Sequence, residues 1–124
     1  MSTFHALVWI DHKESHVLMF DHEHLESQRI PSRSHHKHSG KANEHAAYFT
    51  EVAQALQGSH EVLLTGPSTA RTEFLEWCKH HRSDTAKRIV DNIPADHPTD
   101  KQLVALARQY FKKFDNMAPD PGQL

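Results

Sequence analysis

The stretch Phe4-His5-Ala6-Leu7-Val8-Trp9-Ile10 constrains the fold more than any other part of the chain. Apolar side chains fall on both of its alternating faces: Phe4, Ala6, Val8 and Ile10 on one, Leu7 and Trp9 on the other. A strand of this kind must be covered from both sides, which places it in the middle of a sheet flanked by helices. The chain has 124 residues, enough for one domain with a proper core and too few for two. Its 37% hydrophobic and 24% charged residues are those of a folded chain and exclude wholesale disorder.

The rest of the chain supplies the partners this strand needs. Asp11-His12-Lys13-Glu14 has the length and polarity of a turn, and Ser15 to Phe20 reads as a second strand, so the two form a hairpin. A weaker third strand near His24 to Ile30 has few large apolar residues and belongs at an edge. Pro31 to Asn43 shows no apolar periodicity and reads as a long loop. From Glu44, the residues Ala46, Phe49, Val52, Ala53 and Leu56 keep helical spacing up to Gly58.

Glu61 to Thr65 reads as a buried strand, broken by Gly66-Pro67. Ser68 or Thr69 then caps a helix carrying Phe74, Leu75, Cys78 and His81 on one face. Arg88 to Ile93 reads as the last strand. Thr99-Asp100-Lys101-Gln102 has the form of a capping box, and Leu103, Leu106, Ala107, Tyr110, Phe111 and Phe114 form a stripe on the helix it opens. The expectation is a single α/β domain over residues 1–117 with a five-stranded mixed sheet, helices on both faces, and a flexible tail over 118–124. Right-handed crossovers place the fourth strand parallel to the first.

No apolar run approaches the length of a membrane span. The first residues lack the basic patch and apolar stretch of a secretory signal. Cys78 is the only cysteine, which excludes an internal disulfide and suits a reducing compartment, so a cytoplasmic location is expected. The formal net charge of −2 excludes a uniformly basic nucleic-acid protein but leaves room for a basic patch.

Such a patch is present. Arg29 to Lys41 holds Arg29, Arg33, Lys37 and Lys41 with His35, His36, His38 and three serines, and no acidic residue. Flexible cations and hydroxyls in one loop suit phosphate oxygens, with histidine charge added at lower pH. A solvated loop without a partner is the plain alternative, and the absence of an aromatic gives no sign of base stacking. A second candidate is the strand-to-helix junction Gly66-Pro67-Ser68-Thr69-Ala70-Arg71. Its free backbone N–H groups, Ser68, Thr69 and Arg71 could hold a phosphate, although an ordinary capped turn explains the same residues.

The chain has 13 histidines, which raises the question of a divalent metal. His22 and His24 would share a face of the third strand, and His35, His36 and His38 are neighbours in sequence, but none has zinc-site spacing, and no cofactor is expected. A two-metal nuclease would use carboxylates near the end of the first strand: Asp11, with Glu23, Glu44 and Asp91 as further candidates. Asp11 equally suits a turn. Cys78 with His81 three residues on has the form of an activated thiolate, but a buried small hydrophobe is the simpler reading, with His80 and His81 on the helix rim.

Taken together, Val8-Trp9-Ile10-Asp11-His12-Lys13-Glu14-Ser15-His16-Val17, the His35-His36-Lys37-His38 loop, Leu63-Leu64-Thr65-Gly66-Pro67 and His97-Pro98-Thr99-Asp100-Lys101-Gln102-Leu103 resemble a group of bacterial translational machinery proteins. Through them the chain resembles the middle domain of archaeal and eukaryotic peptide-release factors and of Pelota. The resemblance runs from about Phe4 to Phe114 and implies a ribonuclease H-like fold with the ribosome, ribosomal RNA or tRNA as partner. It gives no indication of a DNA or membrane partner. In release factors the loop after the third strand carries Gly-Gly-Gln. Here Gly40, Gly58, Gly66 and Gly122 are all isolated, so peptidyl-tRNA hydrolysis by that tripeptide is not expected. Ser68 and Arg71 stand where that pattern often has glycine and lysine. The resulting expectation is a non-catalytic module that binds RNA or the ribosome through its basic, His-rich loop. The alternatives are a metal-dependent nuclease, or a His-rich metal-binding or protein-interaction domain.

Overall fold

Strand β1 (Phe4–Ile10) lies in the centre of the sheet, as its two apolar faces require. The computed structural model describes residues 4–21, 24–32 and 41–117, with side chains for 5–21, 24–32 and 46–112. Beyond β1 the order is β2 (Glu14–Phe20), β3 (Leu25–Pro31), α1 (Lys41–Ala55), β4 (Ser59–Gly66), α2 (Ala70–His81), α3 (Ser83–Arg88), β5 (Ile89–Pro94) and α4 (Asp100–Met117).

The five strands form one mixed sheet in the order β3-β2-β1-β4-β5. β1, β2 and β3 are antiparallel neighbours, whereas β4 runs parallel to β1 and β5 parallel to β4. The hairpin, the parallel fourth strand and the edge position of the third all agree with the sequence pattern.

Each face of β1 has its own core. Ala6, Val8 and Ile10 pack with Val62 and Leu64 beneath α1 (Tyr48, Phe49, Val52) and α2 (Phe74, Cys78). Leu7 and Trp9, with Leu18, Phe20 and Leu63, pack beneath Leu103, Ala107 and Phe111 of α4. The result is a three-layer α/β/α sandwich whose central strand is shielded on both sides.

Local chemistry sets the element ends. At the start of α4 the Thr99 N–H donates to Gln102 Oε1 at 2.8 Å and the Gln102 N–H donates to Thr99 Oγ1 at 3.2 Å, the reciprocal capping box anticipated from the sequence. Thr69 stands at the N-cap of α2, but its hydroxyl makes no capping bond and turns to Glu73 instead. The loop expected over 31–43 is shorter: Pro31 belongs to β3, and α1 begins at Lys41 rather than Glu44. The short helix α3 has only Thr85 buried and had no apolar stripe to announce it. The tail expected over 118–124 lies outside the described residues. Among the described residues, no helix is long and apolar enough to cross a membrane.

Candidate nucleic-acid interface

The turn between β1 and β2 is the organising point of the candidate interface. Asp11 shapes it: its Oδ1 accepts the N–H groups of both Lys13 and Glu14 at 2.8 Å. The upstream flank of the basic segment and the middle of α1 are both tied to this turn. On the upstream side the Ser32 N–H donates to the Lys13 carbonyl at 2.7 Å, and the Arg29 guanidinium grips the Glu14 carboxylate at 2.5 Å. On the downstream side the Tyr48 hydroxyl, on α1, donates to the Asp11 carbonyl at 3.0 Å while accepting from the buried Ser15 hydroxyl at 3.0 Å. Desolvation raises the Tyr48 phenol, so it stays a neutral donor. The Tyr48 contact lies seven residues, about 10 Å of helix, beyond Lys41, where α1 begins.

Arg29 lies on β3 rather than in a loop, exposed and on the outer strand. Burial alone would raise the Glu14 carboxyl, but its bonds to Arg29 and to His16 outweigh that and hold it below the usual carboxylate range. Lys41 belongs to the first turn of α1, with its side chain outside the described set. Arg33, His35, His36, Lys37 and His38 also lie outside the described residues, as do His22 and Glu23.

At the β4–α2 junction, a Cβ added at Gly66 would collide with the Ile10 carbonyl oxygen, so only glycine lets β4 run this close to β1. Ser68 is exposed, and the Thr69 hydroxyl donates to Glu73 Oε2 at 3.0 Å. The same carboxylate faces His12 Nε2 at 3.3 Å. A negative side chain thus already occupies the start of α2, where the helix dipole favours an anion. Arg71 donates through Nη1 to Asn92 Oδ1 at 2.6 Å, while its Nε is buried without a hydrogen-bond partner. Gly66 and Arg71 are therefore committed to joining β4, β1 and β5.

Asp11 and Asp91, the two described carboxylates of the four named for two-metal chemistry, do not converge. Asp91 is level with Leu63, which is level with Leu7, four residues before Asp11 on β1. That offset is roughly 13 Å along the strands, before the two strand spacings across the sheet. Asp91 accepts from the Tyr110 hydroxyl at 3.1 Å, and desolvation followed by this bond pushes the Tyr110 phenol up to about 12. The Glu44 side chain is outside the described set. Among the described residues, no group of three or more His, Cys, Asp or Glu is placed to hold a metal ion. His24 sits in the turn before β3 rather than on the strand, its N–H bonded to Asp21 Oδ1 at 2.7 Å.

Cys78 is fully buried, and desolvation pushes its thiol up to about 12, the opposite of an activated thiolate. The His81 ring rests against Trp77 at 5.1 Å, tilted by 35°, rather than pairing with the thiol.

Two arrangements had no counterpart in the sequence reading. Around Trp9, the indole Nε1 donates to the Asp96 carbonyl at 2.9 Å, and His16 and His97 rest on the ring at 5.5 and 5.3 Å. His16 in turn lies between Glu14 (3.4 Å) and Asp100 (3.2 Å), joining β2 to the start of α4. The other arrangement is the Trp77–His81–Arg82 corner of α2, whose i, i+4 spacing of Trp77 and His81 was a readable signal.

No protein-family model matches the chain, and no curated protein matches it. Solved structures do. The Pelota protein of Thermoplasma acidophilum superposes with a TM-score of 0.62 at 23% identity, over 83% of this chain and 31% of its own. The fold is that of one Pelota domain. The archaeal translation termination factor aRF1 gives a TM-score of 0.61 at 13% identity, covering 86% of this chain and 34% of its own. Dom34 of S. cerevisiae, described as a translation termination-like factor involved in RNA quality control pathways, gives 0.56 at 10% identity, covering 90% and 34%. The chain spans about a third of the length of these proteins. At such identities the likeness establishes the α/β domain fold, with its five-stranded mixed sheet.

Proposed function

We propose that this chain is a translation-associated module that binds RNA or the ribosome through the basic segment Arg29 to Lys41. The observation that carries this reading is the anchoring of the upstream end of that segment to the β1–β2 turn. Arg29 and Ser32 are bonded to the Asp11–Glu14 turn, which Tyr48 of α1 also contacts, and the sequence that follows brings the segment to four cations and three histidines without an acidic residue. Structural neighbours named as termination or termination-like factors supply the setting, and a cytoplasmic site of action goes with it. Without adjacent glycines the segment carries no Gly-Gly-Gln, so the contact is one of binding rather than of peptide release.

The mode of binding is electrostatic. Each cation that neutralises a phosphate releases a counterion, giving a salt slope of about −0.7 per contact on single-stranded RNA and about −0.9 on a duplex. The test is ribosome co-sedimentation at low and high salt with wild type and the variant R29A/R33A/K37A/K41A. Salt-sensitive co-sedimentation that the variant loses supports the reading. Equal retention of both proteins, or of neither, refutes it.

A nuclease reading has no comparable support: Asp11 Oδ1 accepts from its own turn, Oδ2 faces His97 at 3.9 Å, and Asp91 is remote from Asp11.

A further inference from the structure

Charge is unevenly spread along this chain. Residues 77–88 hold Lys79, Arg82, Lys87 and Arg88 with His80 and His81, against Asp84 alone. This is the second concentration of positive charge in a chain whose net charge is −2, and it lies on described, folded structure. Cations in the last turn of a helix are ordinary, since the dipole favours them. What is not ordinary is the aromatic column beside them.

The column begins in the core and ends at the surface. Phe74 and Trp77 are stacked at 6.5 Å with their planes 16° apart, and Phe49 closes on Trp77 at 5.9 Å. The exposed His81 ring lies 5.1 Å from Trp77, tilted by 35° to it, and the His80 ring lies 6.5 Å from His81. The Arg82 guanidinium lies 5.9 Å from the Trp77 ring. Two planar, cation-capable groups are thus pinned on one indole, so little side-chain freedom remains to be lost when a planar ligand stacks on them. Lys79 stays exposed despite its pair with Glu76 (3.1 Å), whereas Arg88 is half-buried beside Asp84 (4.0 Å).

We infer that the α2–α3 corner is a second RNA-binding surface, one that takes a single-stranded segment with a base on His81 and phosphates on the cations of residues 79–88. A stacking platform beside a row of cations is the pairing that single strands demand. The segment Arg29 to Lys41 has histidines but no Phe, Trp or Tyr to hold their rings as Trp77 holds His81. The inference rests on the RNA-binding reading for the class of partner, but not on that segment.

The test is fluorescence anisotropy with a labelled oligouridylate and with an abasic oligomer of equal length. The full chain would be compared with H81A, with H81L (which keeps Trp77 covered), with K79A/K87A/R88A, and with R29A/R33A/K37A/K41A. Melting curves confirm that each variant is folded. The inference predicts that both His81 variants weaken oligouridylate binding roughly tenfold while leaving abasic binding unchanged. The triple variant lowers the salt slope by up to about 2. Absence of wild-type binding, or equal affinity for uridylate and abasic oligomers, overturns it. So does wild-type affinity in the His81 and triple variants; if the four-residue segment variant alone loses binding, the proposed function stands without this surface. Loss only in the corner variants supports the corner and counts against the segment.

Discussion

The Arg29 guanidinium and the Glu14 carboxylate meet at 2.5 Å across the β2–β3 pair, beside the turn that holds the upstream flank of the basic segment. Arg29 is therefore not a free cation. It is tethered to the sheet, with 69% of its side chain exposed. A phosphate approaching it competes with Glu14, and the bond positions the guanidinium before any partner arrives.

The pair has a pH signature. Glu14 is held below its ordinary value of 4.5, so its contribution to stability is fully present above that pH and is lost as acid protonates the folded form. Arg29→Ala removes the larger of the two stabilising partners. The variant should lose about 0.2–1 kcal/mol at neutral pH, as exposed pairs do, and the difference from wild type should shrink on acidification below 4.5. Urea denaturation at pH 7 and pH 3 measures both. A difference that grows in acid contradicts the assignment.

Gly66→Ala tests the close approach of β4 to β1. The new methyl group meets the Ile10 carbonyl, which is backbone and cannot rotate away. A loss of about 1–3 kcal/mol or more in chemical denaturation is expected, comparable with overpacking in a core. A neutral substitution would show that the strands separate there at little cost.

Cys78 should be inert. A buried thiol raised to about 12 has almost no thiolate at pH 8, so a disulfide-exchange reagent should react with it only after unfolding. Fast reaction in the native protein would mean that α2 opens readily.

Asp11 separates a turn former from a metal ligand. Asp11→Asn retains an oxygen that accepts from Lys13 and Glu14, so stability should be nearly unchanged, whereas Asp11→Ala should cost about 0.5–2 kcal/mol, as the loss of a comparable side-chain cap does. Thermal melts of the two variants decide. Equal damage from both would point to a role for the negative charge itself.

The parts of the fold that were legible in the sequence are those where one interaction dominates. β1 is apolar on both faces because α1 and α2 cover one and α4 the other, and Thr99 with Gln102 announces a helix start by reciprocal bonds. α3 was hidden because a polar six-residue helix has no periodic stripe. The first turn of α1 was hidden for the same reason, since Lys41, Ala42 and Asn43 precede its apolar positions. His24 was misplaced because the Asp21 carboxylate holds the chain in a turn one residue longer than the strand pattern suggested. At the candidate site, composition revealed the basic segment. The tie between α1 and the β1–β2 turn could not be read, because Tyr48 and Asp11 are far apart in sequence and meet only once α1 packs on the sheet.

Ribosome co-sedimentation of the full chain against R29A/R33A/K37A/K41A, at low and at high salt, bears most directly on the central claim. Wild-type protein should travel with ribosomes at low salt and leave them at high salt, while the variant remains in the supernatant throughout. A variant that co-sediments as well as wild type, or a wild type absent from the ribosomal fraction at every salt concentration, would contradict it.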